Sequence, residues 1–340
     1  MRRPLVVKLG SSLVVDARGR PRRSLLRARA AEVAEVVAGG TPACVVSSGA
    51  IALGLRLLGE ERRPSSLPRL QAASALGQPA LQRAWQDAFR PHGVDAAQIL
   101  LTSAEVGDRR AYVNVRNALG ALFALGTVPI VNENDATATD EISFGDNDSL
   151  AAQVAVLLKA RLLVLLTAVP GVLAEGVVVA DGAAARAATF GPGDRLGRGG
   201  MESKVAAAEL AAGAGIPTVI ADGTAAGAVT AALRGGAGGT RFAASGSLPA
   251  FKLWLLHGKR IAGRIHVDEG AHRAIVGGGA SLLAVGVTGC DGAFRAGDGV
   301  ELVGPGGGVF GRGIASVDAA ELAGRRAGVE AVHRDRLVLS

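Results

Sequence analysis

Cysteine is almost absent from this 340-residue chain, which holds only Cys44 and Cys290. Two cysteines without paired spacing exclude a disulfide framework and a cysteine-based zinc site, and they suit a reducing compartment. Aromatic residues are scarce, at 3%, so a base-stacking platform for single-stranded nucleic acid is poorly supplied. The five histidines (His92, His257, His266, His272 and His333) include no close metal-ligand pair and accompany no nucleophile motif. Long uninterrupted apolar runs are missing too. The longest, Ala151 to Leu173, is broken by Lys159, Arg161 and Pro170-Gly171; it reads as a helix and a buried strand, and no membrane association is expected. Met1-Arg2-Arg3-Pro4 leads into an apolar run broken by Lys8, too short for a signal-peptide core. A cytoplasmic location is therefore expected. Lysine is the last scarcity. Only Lys8, Lys159, Lys204, Lys252 and Lys259 stand among 37 basic residues. In a composition this rich in Gly, Ala and Arg, a retained lysine hints at a place where a compact charge serves and a planar fork does not.

What is present bounds the class. Apolar residues make up 49% of the chain, enough for a sizeable core, and the length predicts two domains. The net charge is +7 with a pI near 10.2, a balance that invites a nucleic-acid reading. Its location weakens that reading. Residues 1–30 carry nine basic residues against Asp16 alone, a sum of +8, so the other 310 residues sum to −1.

Short β-rich runs alternate with helical patterns. Strands are predicted at Leu5–Leu9, Ala43–Ser47, Ala96–Leu101, Val128–Asn132, Leu162–Thr167 and Thr218–Ala221. Helices are predicted at Ser24–Ala38, Leu67–Arg90, Arg109–Leu125, Ser149–Lys159 and Glu202–Gly213. This alternation predicts an α/β domain with a mostly parallel sheet sandwiched by helices. Ligands of such sheets bind beyond the carboxyl ends of the strands. Beyond Arg234 the pattern changes: Gly235–Gly239 and Ala243–Pro249 are linker-like, and the runs from Phe251 onward are short and turn-rich. The expected layout is a first domain over 1–242, a linker over 243–250, and a small β-rich domain with the C-terminal tail over 251–340.

Four segments at strand ends or helix starts could carry chemistry. In Val6–Ser12, Lys8 ends a strand beside Gly10-Ser11-Ser12, a loop whose N–H groups can cradle an anion; a solvated edge lysine would look the same. Ser47-Ser48-Gly49-Ala50 ends a strand and begins a helix. It fits a carboxylate or phosphate, and equally an ordinary N-cap. Asn132-Glu133-Asn134-Asp135, followed by Asp140-Glu141 and Gly145-Asp146-Asn147-Asp148, gathers six acids and no base between Arg116 and Lys159. Such carboxylates and amides can hold a substrate ammonium, a Mg²⁺ ion or a catalytic lysine. Gly197–Lys204 is a Gly-rich turn opening a helix with Lys204 one turn inside, suited to a polyphosphate although it lacks Walker A spacing.

Together, Val6–Ser12, Ser47–Gly54, Val131–Ala136, Phe144–Asp148 and Gly199–Lys204 resemble the amino-acid kinase family, and within it the glutamate 5-kinases. Ile265–Ala271, Ser281–Leu283 and Ala331–Asp335 resemble the PUA domain and closing tail that many of those enzymes carry. The resemblance covers nearly the whole chain. It implies the amino-acid kinase fold plus a PUA-like domain, and phosphorylation of the γ-carboxylate of L-glutamate by ATP with Mg²⁺, the first step of proline biosynthesis. By motif position it implies that Lys8 and Lys204 contact the ATP phosphates and the transferring group. Asp148 would hold the lysines, with Asp146 near them or the metal. Ser48, Gly49, Ala50, Asn134, Asp135 and Asn147 would bind glutamate. Gly10, Ser11, Thr167, Ala168, Arg198, Gly199, Gly200, Met201, Glu202 and Ser203 would line the ATP site with the two lysines. No residue is assigned as a direct metal ligand. A homo-oligomer, feedback inhibition by proline and RNA binding by the PUA-like domain are family expectations. The sequence departs from the pattern at Ala168, where the family usually has Asp, and at Arg198 and Ser203, where Thr is common. Alternative readings are a kinase of the same family acting on acetylglutamate, aspartate or a nucleotide, and a weakened kinase with an RNA-binding or regulatory role.

Overall fold

The computed structural model describes all residues except 1, 61, 103–104, 106–108, 138–146, 186–199, 237, 247–251, 253–254, 256–260, 325–327 and 340. The chain divides into two compact units, Met1–Ser247 and Leu248–Ser340.

The first unit opens with β1 (Leu5–Leu9), a single helical turn α1 (Ser11–Val14), α2 (Arg23–Ala38), β2 (Ala43–Ser47), α3 (Ala50–Leu57) and α4 (Leu67–Phe89). It continues with β3 (Ala96–Leu101), α5 (Arg109–Ala124), β4 (Val128–Glu133), α6 (Asn147–Leu157) and β5 (Leu162–Thr167). A two-residue hairpin, β6 (Leu173–Ala174) and β7 (Val177–Val178), precedes the turn α7 (Gly182–Ala185). Then come α8 (Met201–Gly213), β8 (Thr218–Asp222), α9 (Ala228–Arg234) and β9 (Thr240–Phe242). Seven strands form one sheet in the order β3-β4-β2-β1-β5-β8-β9. Only the β8–β9 pairing is antiparallel. The inner strands β1, β2 and β4 are buried at every residue, as expected where helices cover both faces of a parallel sheet. That is why they read in the sequence as continuous apolar runs.

The strand order places a topological switch beside β1. From β1 the chain moves outward to β2, whereas from β5, paired with the other edge of β1, it moves to β8. Leu9 is in register with Ser47 and with Leu166. The loops after β1, β2 and β5 therefore leave one sheet edge side by side, and a crevice there is the expected ligand site.

Two local features set the geometry near this edge. Gly49 caps α3 with a φ of 117°, a conformation in which a side chain is strained. Helices α3 and α4 cross in contact: a Cβ on Gly54 would overlap the carbonyl oxygen of Ala73, and one on Gly77 the carbonyl oxygen of Ala50. The N-terminal basic cluster is partly structural. Arg29 is buried, donates to the Ala225 carbonyl at 2.7 Å and pairs with Glu32 at 2.7 Å. Glu32 in turn accepts from the Gly227 and Val229 N–H groups at the start of α9. The linker-like glycines at 235–239 lie inside the first unit, between α9 and β9. The Ser245 N–H donates to the Ala212 carbonyl at 2.9 Å, so this stretch follows α8 before the second unit begins.

The second unit holds β10 (Ile261–Val267), α10 (Glu269–Gly278), β11 (Leu282–Leu283), β12 (Val287–Asp291), β13 (Gly299–Val303), β14 (Val309–Ala315), α11 (Ala319–Ala323) and β15 (Glu330–Leu339). Its sheet runs β11-β15-β14-β13-β10-β12 around a core that includes Ile265, Ile275, Phe294, Leu302 and Leu337. Asp268 caps α10 by accepting the Ala271 N–H at 2.7 Å, and Gly279 ends that helix in the left-handed region. No helix among the described residues is long and apolar enough to cross a membrane.

Candidate active site

Lys8, at the end of β1, points back into the fold and is 3% exposed. Asp148 is the second residue of α6 and is 1% exposed; Lys204 lies one turn into α8 and is 6% exposed. The Lys8 Nζ stands 2.5 Å from Asp148 Oδ1, and the Lys204 Nζ 3.1 Å from Asp148 Oδ2. One carboxylate thus holds two lysines delivered from opposite ends of the unit's sequence. Burial pushes the Asp148 carboxyl up, but the two ammonium groups outweigh it and hold it below the usual carboxylate range. The trio carries a net charge of +1 in a buried place.

Around it lies a ring of small and polar groups. Ser203 shares its hydroxyl between Asp148 Oδ2 at 3.0 Å and the Gly200 carbonyl at 3.1 Å. Gly200 is the N-cap of α8 and makes no side-chain cap bond, so Lys204 lies beside a helix start that its own N-cap leaves uncapped, a combination that suits phosphate. Met201 is half-buried and Glu202 exposed on the same turn. A Cβ on Gly10 would be 3.7 Å from the Lys8 Nζ, and Ser11 beside it is exposed. Thr167 follows Leu166, the partner of Leu9, and its carbonyl accepts the Gly223 N–H at 2.7 Å. Ala168 is exposed just beyond. Asp146, Arg198 and Gly199, expected at this site, lie outside the described residues.

A second polar group sits next to the trio. Asn147, adjacent to Asp148, donates to Ser48 Oγ at 2.9 Å and to Asn132 Oδ1 at 3.1 Å. Asn132 donates to Gln78 Oε1 at 2.8 Å, and Gln78 donates to Gln98 at 3.2 Å. Ser48 is anchored through its N–H to the Leu9 carbonyl at 3.1 Å, with Gly49 and Ala50 buried behind it. This relay runs from the lysine trio to a cleft of about 250 Å³ lined in part by Ser74, Gln78, Asn134 and Asp135. Asp135 is 5% exposed, and its Oδ2 accepts from Ser74 at 2.6 Å. Burial pushes the Asp135 carboxyl up, and the Ser74 hydrogen bond and the Arg63 charge only partly offset it. Chemically, the site offers buried positive charge at one end and a buried carboxylate at the other, linked by the Asn147–Asn132–Gln78 relay to the cleft that Gln78 and Asp135 line.

A fold of this topology with this edge matches a known family. The model of the amino acid kinase family fits residues 3–222, and that of the PUA domain fits residues 263–334. The chain belongs to the amino acid kinase family. It is 44% identical to a glutamate 5-kinase of Novosphingobium aromaticivorans, over 94% of this chain and 87% of that one. It is 42% identical to a glutamate 5-kinase of Sphingopyxis alaskensis, over 98% of this chain and 97% of that one. Among solved structures, the N-acetylglutamate synthase of Neisseria gonorrhoeae, complexed with coenzyme A and N-acetyl-glutamate, superposes with a TM-score of 0.52 at 20% identity. That match covers 71% of this chain and 59% of the synthase, and it speaks to the fold alone.

Within this amino acid kinase, the sequence reading passed over Ser74, Gln78 and Gln98, and assigned Asn132 no role of its own. A signal for two of them exists. The buried stripe of α4 runs Leu70, Ala73, Ser74, Gly77, Gln78, Leu81 and Trp85, and Ser74 and Gln78 are the polar residues in it, four apart. Polar groups on a buried stripe must be hydrogen-bonded, so they mark a polar network.

Proposed function

We propose that this protein transfers the γ-phosphoryl group of ATP to the γ-carboxylate of L-glutamate, giving γ-glutamyl phosphate and ADP, the first step of proline biosynthesis. The observation that carries the reading is Asp148 clamped between Lys8 and Lys204, one relay away from the cleft that holds Asp135. An oxygen of the γ-carboxylate attacks the γ-phosphorus, the bond to the β,γ-bridging oxygen breaks, and ADP departs with that electron pair. No general base is required, because the attacking carboxylate is already ionised at neutral pH.

The obstacle is charge. Carboxylate and triphosphate repel by about 4 kcal/mol per unit-charge pair at 4 Å with an effective dielectric near 20. Lys8 and Lys204 oppose that repulsion and remain beside the phosphoryl oxygens as charge redistributes, which is electrostatic stabilisation by groups already in place. Asp148 keeps the two ammonium groups together when no phosphate is there. In this reading Ser48 and neighbouring backbone N–H groups take the α-carboxylate of glutamate, and Asp135 takes its ammonium. Mg²⁺ belongs to the nucleotide substrate. Both Asp148 oxygens already face ammonium groups.

The test is ADP release in a coupled assay with glutamate, N-acetylglutamate, aspartate and UMP as acceptors, with and without proline. Turnover dependent on glutamate supports the reading. Preference for another acceptor, or salt-sensitive RNA binding without ADP release, overturns it.

A further inference from the structure

Ser74 stands out among the buried polar groups that the phosphoryl-transfer chemistry leaves unused. It lies mid-helix on the buried stripe of α4 and is 4% exposed. A hydroxyl in such a place costs stability unless it is hydrogen-bonded. Its partner is Asp135 Oδ2 at 2.6 Å, the short separation of a bond to a charged acceptor. The other carboxylate oxygen, Oδ1, is buried and has no hydrogen-bond partner among the described residues. Asp135 is held from the other side by its own turn, in which the Asn134 N–H donates to the Leu101 carbonyl at 2.8 Å and the Thr137 N–H to the Asn134 carbonyl at 3.0 Å. Both residues line the cleft of about 250 Å³. Gln78, one turn along α4, already has its carbonyl engaged by Asn132. One carboxylate oxygen is therefore fixed by Ser74, while the other is buried in the cleft lining without a hydrogen-bond partner among the described residues, and the Arg63 charge offsets only part of the burial.

We propose that Ser74 is a positioning residue for acceptor selection: it locks Asp135 so that Oδ1 meets an α-ammonium, and the cleft thereby selects acceptors with an unmodified amino group. The inference rests on the reading of Asp135 as the ammonium partner. A positively charged amine repays the cost of the half-satisfied buried carboxylate. An acylated nitrogen is neutral and offers one N–H, so it leaves that cost standing, and an acceptor without nitrogen does so entirely.

The experiment measures the KM and kcat for glutamate, the Ki of glutarate as a competitor lacking the amine, and turnover of N-acetylglutamate. It compares the full-length wild type, Ser74→Ala, Asp135→Asn and the double variant, each checked for its thermal midpoint. Ser74→Ala is expected to raise the glutamate KM tenfold to a hundredfold, leave kcat within a few fold and leave the glutarate Ki unchanged. The double variant is expected to be no worse than Asp135→Asn. Equal losses for glutamate and glutarate, or additive losses in the double variant, would give Ser74 a packing role and overturn the proposal. The wild type needs no variant: N-acetylglutamate turned over as well as glutamate also overturns it. Absence of any glutamate-dependent turnover in the wild type would instead remove the underlying functional reading, and the proposal with it.

Discussion

Replacing Asp148 by Asn removes one negative charge and keeps the shape. Lys8 and Lys204 then remain buried, each formerly held to one oxygen of the same carboxylate at 2.5 and 3.1 Å. Two ammonium groups so placed stand within about 8 Å of one another, where they repel by at least about 2 kcal/mol at an effective dielectric of 20. Breaking a buried ion pair by removing one partner costs about 3–5 kcal/mol in total. For a unit of this size each kcal/mol is worth about 2–4 °C, so the thermal midpoint of the kinase unit should fall by about 6–20 °C. Burial raises the Asp148 carboxyl, but the lysines hold it below its ordinary value of 3.8. Its stabilisation is therefore fully present above that pH and lost only as pH falls through the lower folded-state value. The gap between wild type and Asp148→Asn should be constant across neutral pH and close only in strong acid. Removing all three charges with Lys8→Met, Asp148→Asn and Lys204→Met should recover most of the midpoint while leaving the enzyme inactive. Scanning calorimetry beside ADP release provides the assay. An Asp148→Asn midpoint within a degree or two of wild type, with kcat within a few fold, would refute the claim that this carboxylate organises the lysines.

Further expectations concern single residues. Lys8→Ala and Lys204→Ala should each lower kcat by about a hundredfold to a thousandfold, the worth of about 3–4 kcal/mol of transition-state stabilisation; single-turnover rates with saturating ATP check this. Burial, the largest influence, raises the Asp135 carboxyl above 3.8. Glutamate affinity should thus be lost as pH falls through that raised value, and Asp135→Asn should flatten the acid limb of kcat/KM while raising KM at neutral pH. Gly54→Ala should destabilise the fold by at least about 1–3 kcal/mol, because the added methyl meets the Ala73 backbone at the α3–α4 crossing. Urea unfolding would show it.

The core of the kinase fold was legible because its strands are buried on both faces. Leu5–Leu9, Ala43–Ser47, Ala96–Leu101 and Leu162–Thr167 occur in the structure with the boundaries that their apolar runs suggest. Elements carrying little burial were not legible. The β6–β7 hairpin has two residues per strand, mostly exposed, and β9 is a three-residue edge strand. In the second unit, β15 interrupts its apolar residues with His333, Arg334, Asp335 and Arg336, so no period announces a ten-residue strand. The site divides in the same way. Lys8, Asp148 and Lys204 sit in motifs at strand ends and helix starts, where a resemblance can be read. Ser74 and Gln78 lie in the middle of a helix with other polar residues, including Gln82, Gln86 and Arg83, and their place four apart on the apolar stripe is the one signal that they turn inward.

The central claim is that this site makes an acyl phosphate on glutamate, and hydroxylamine tests it directly. An acyl phosphate reacts with hydroxylamine to give a hydroxamate, which mass spectrometry identifies. The protein with ATP, Mg²⁺, glutamate and hydroxylamine should yield γ-glutamyl hydroxamate in one-to-one proportion with ADP, and Lys204→Ala should yield neither. ADP without hydroxamate, or hydroxamate formed only from another carboxylic acceptor, would contradict the account.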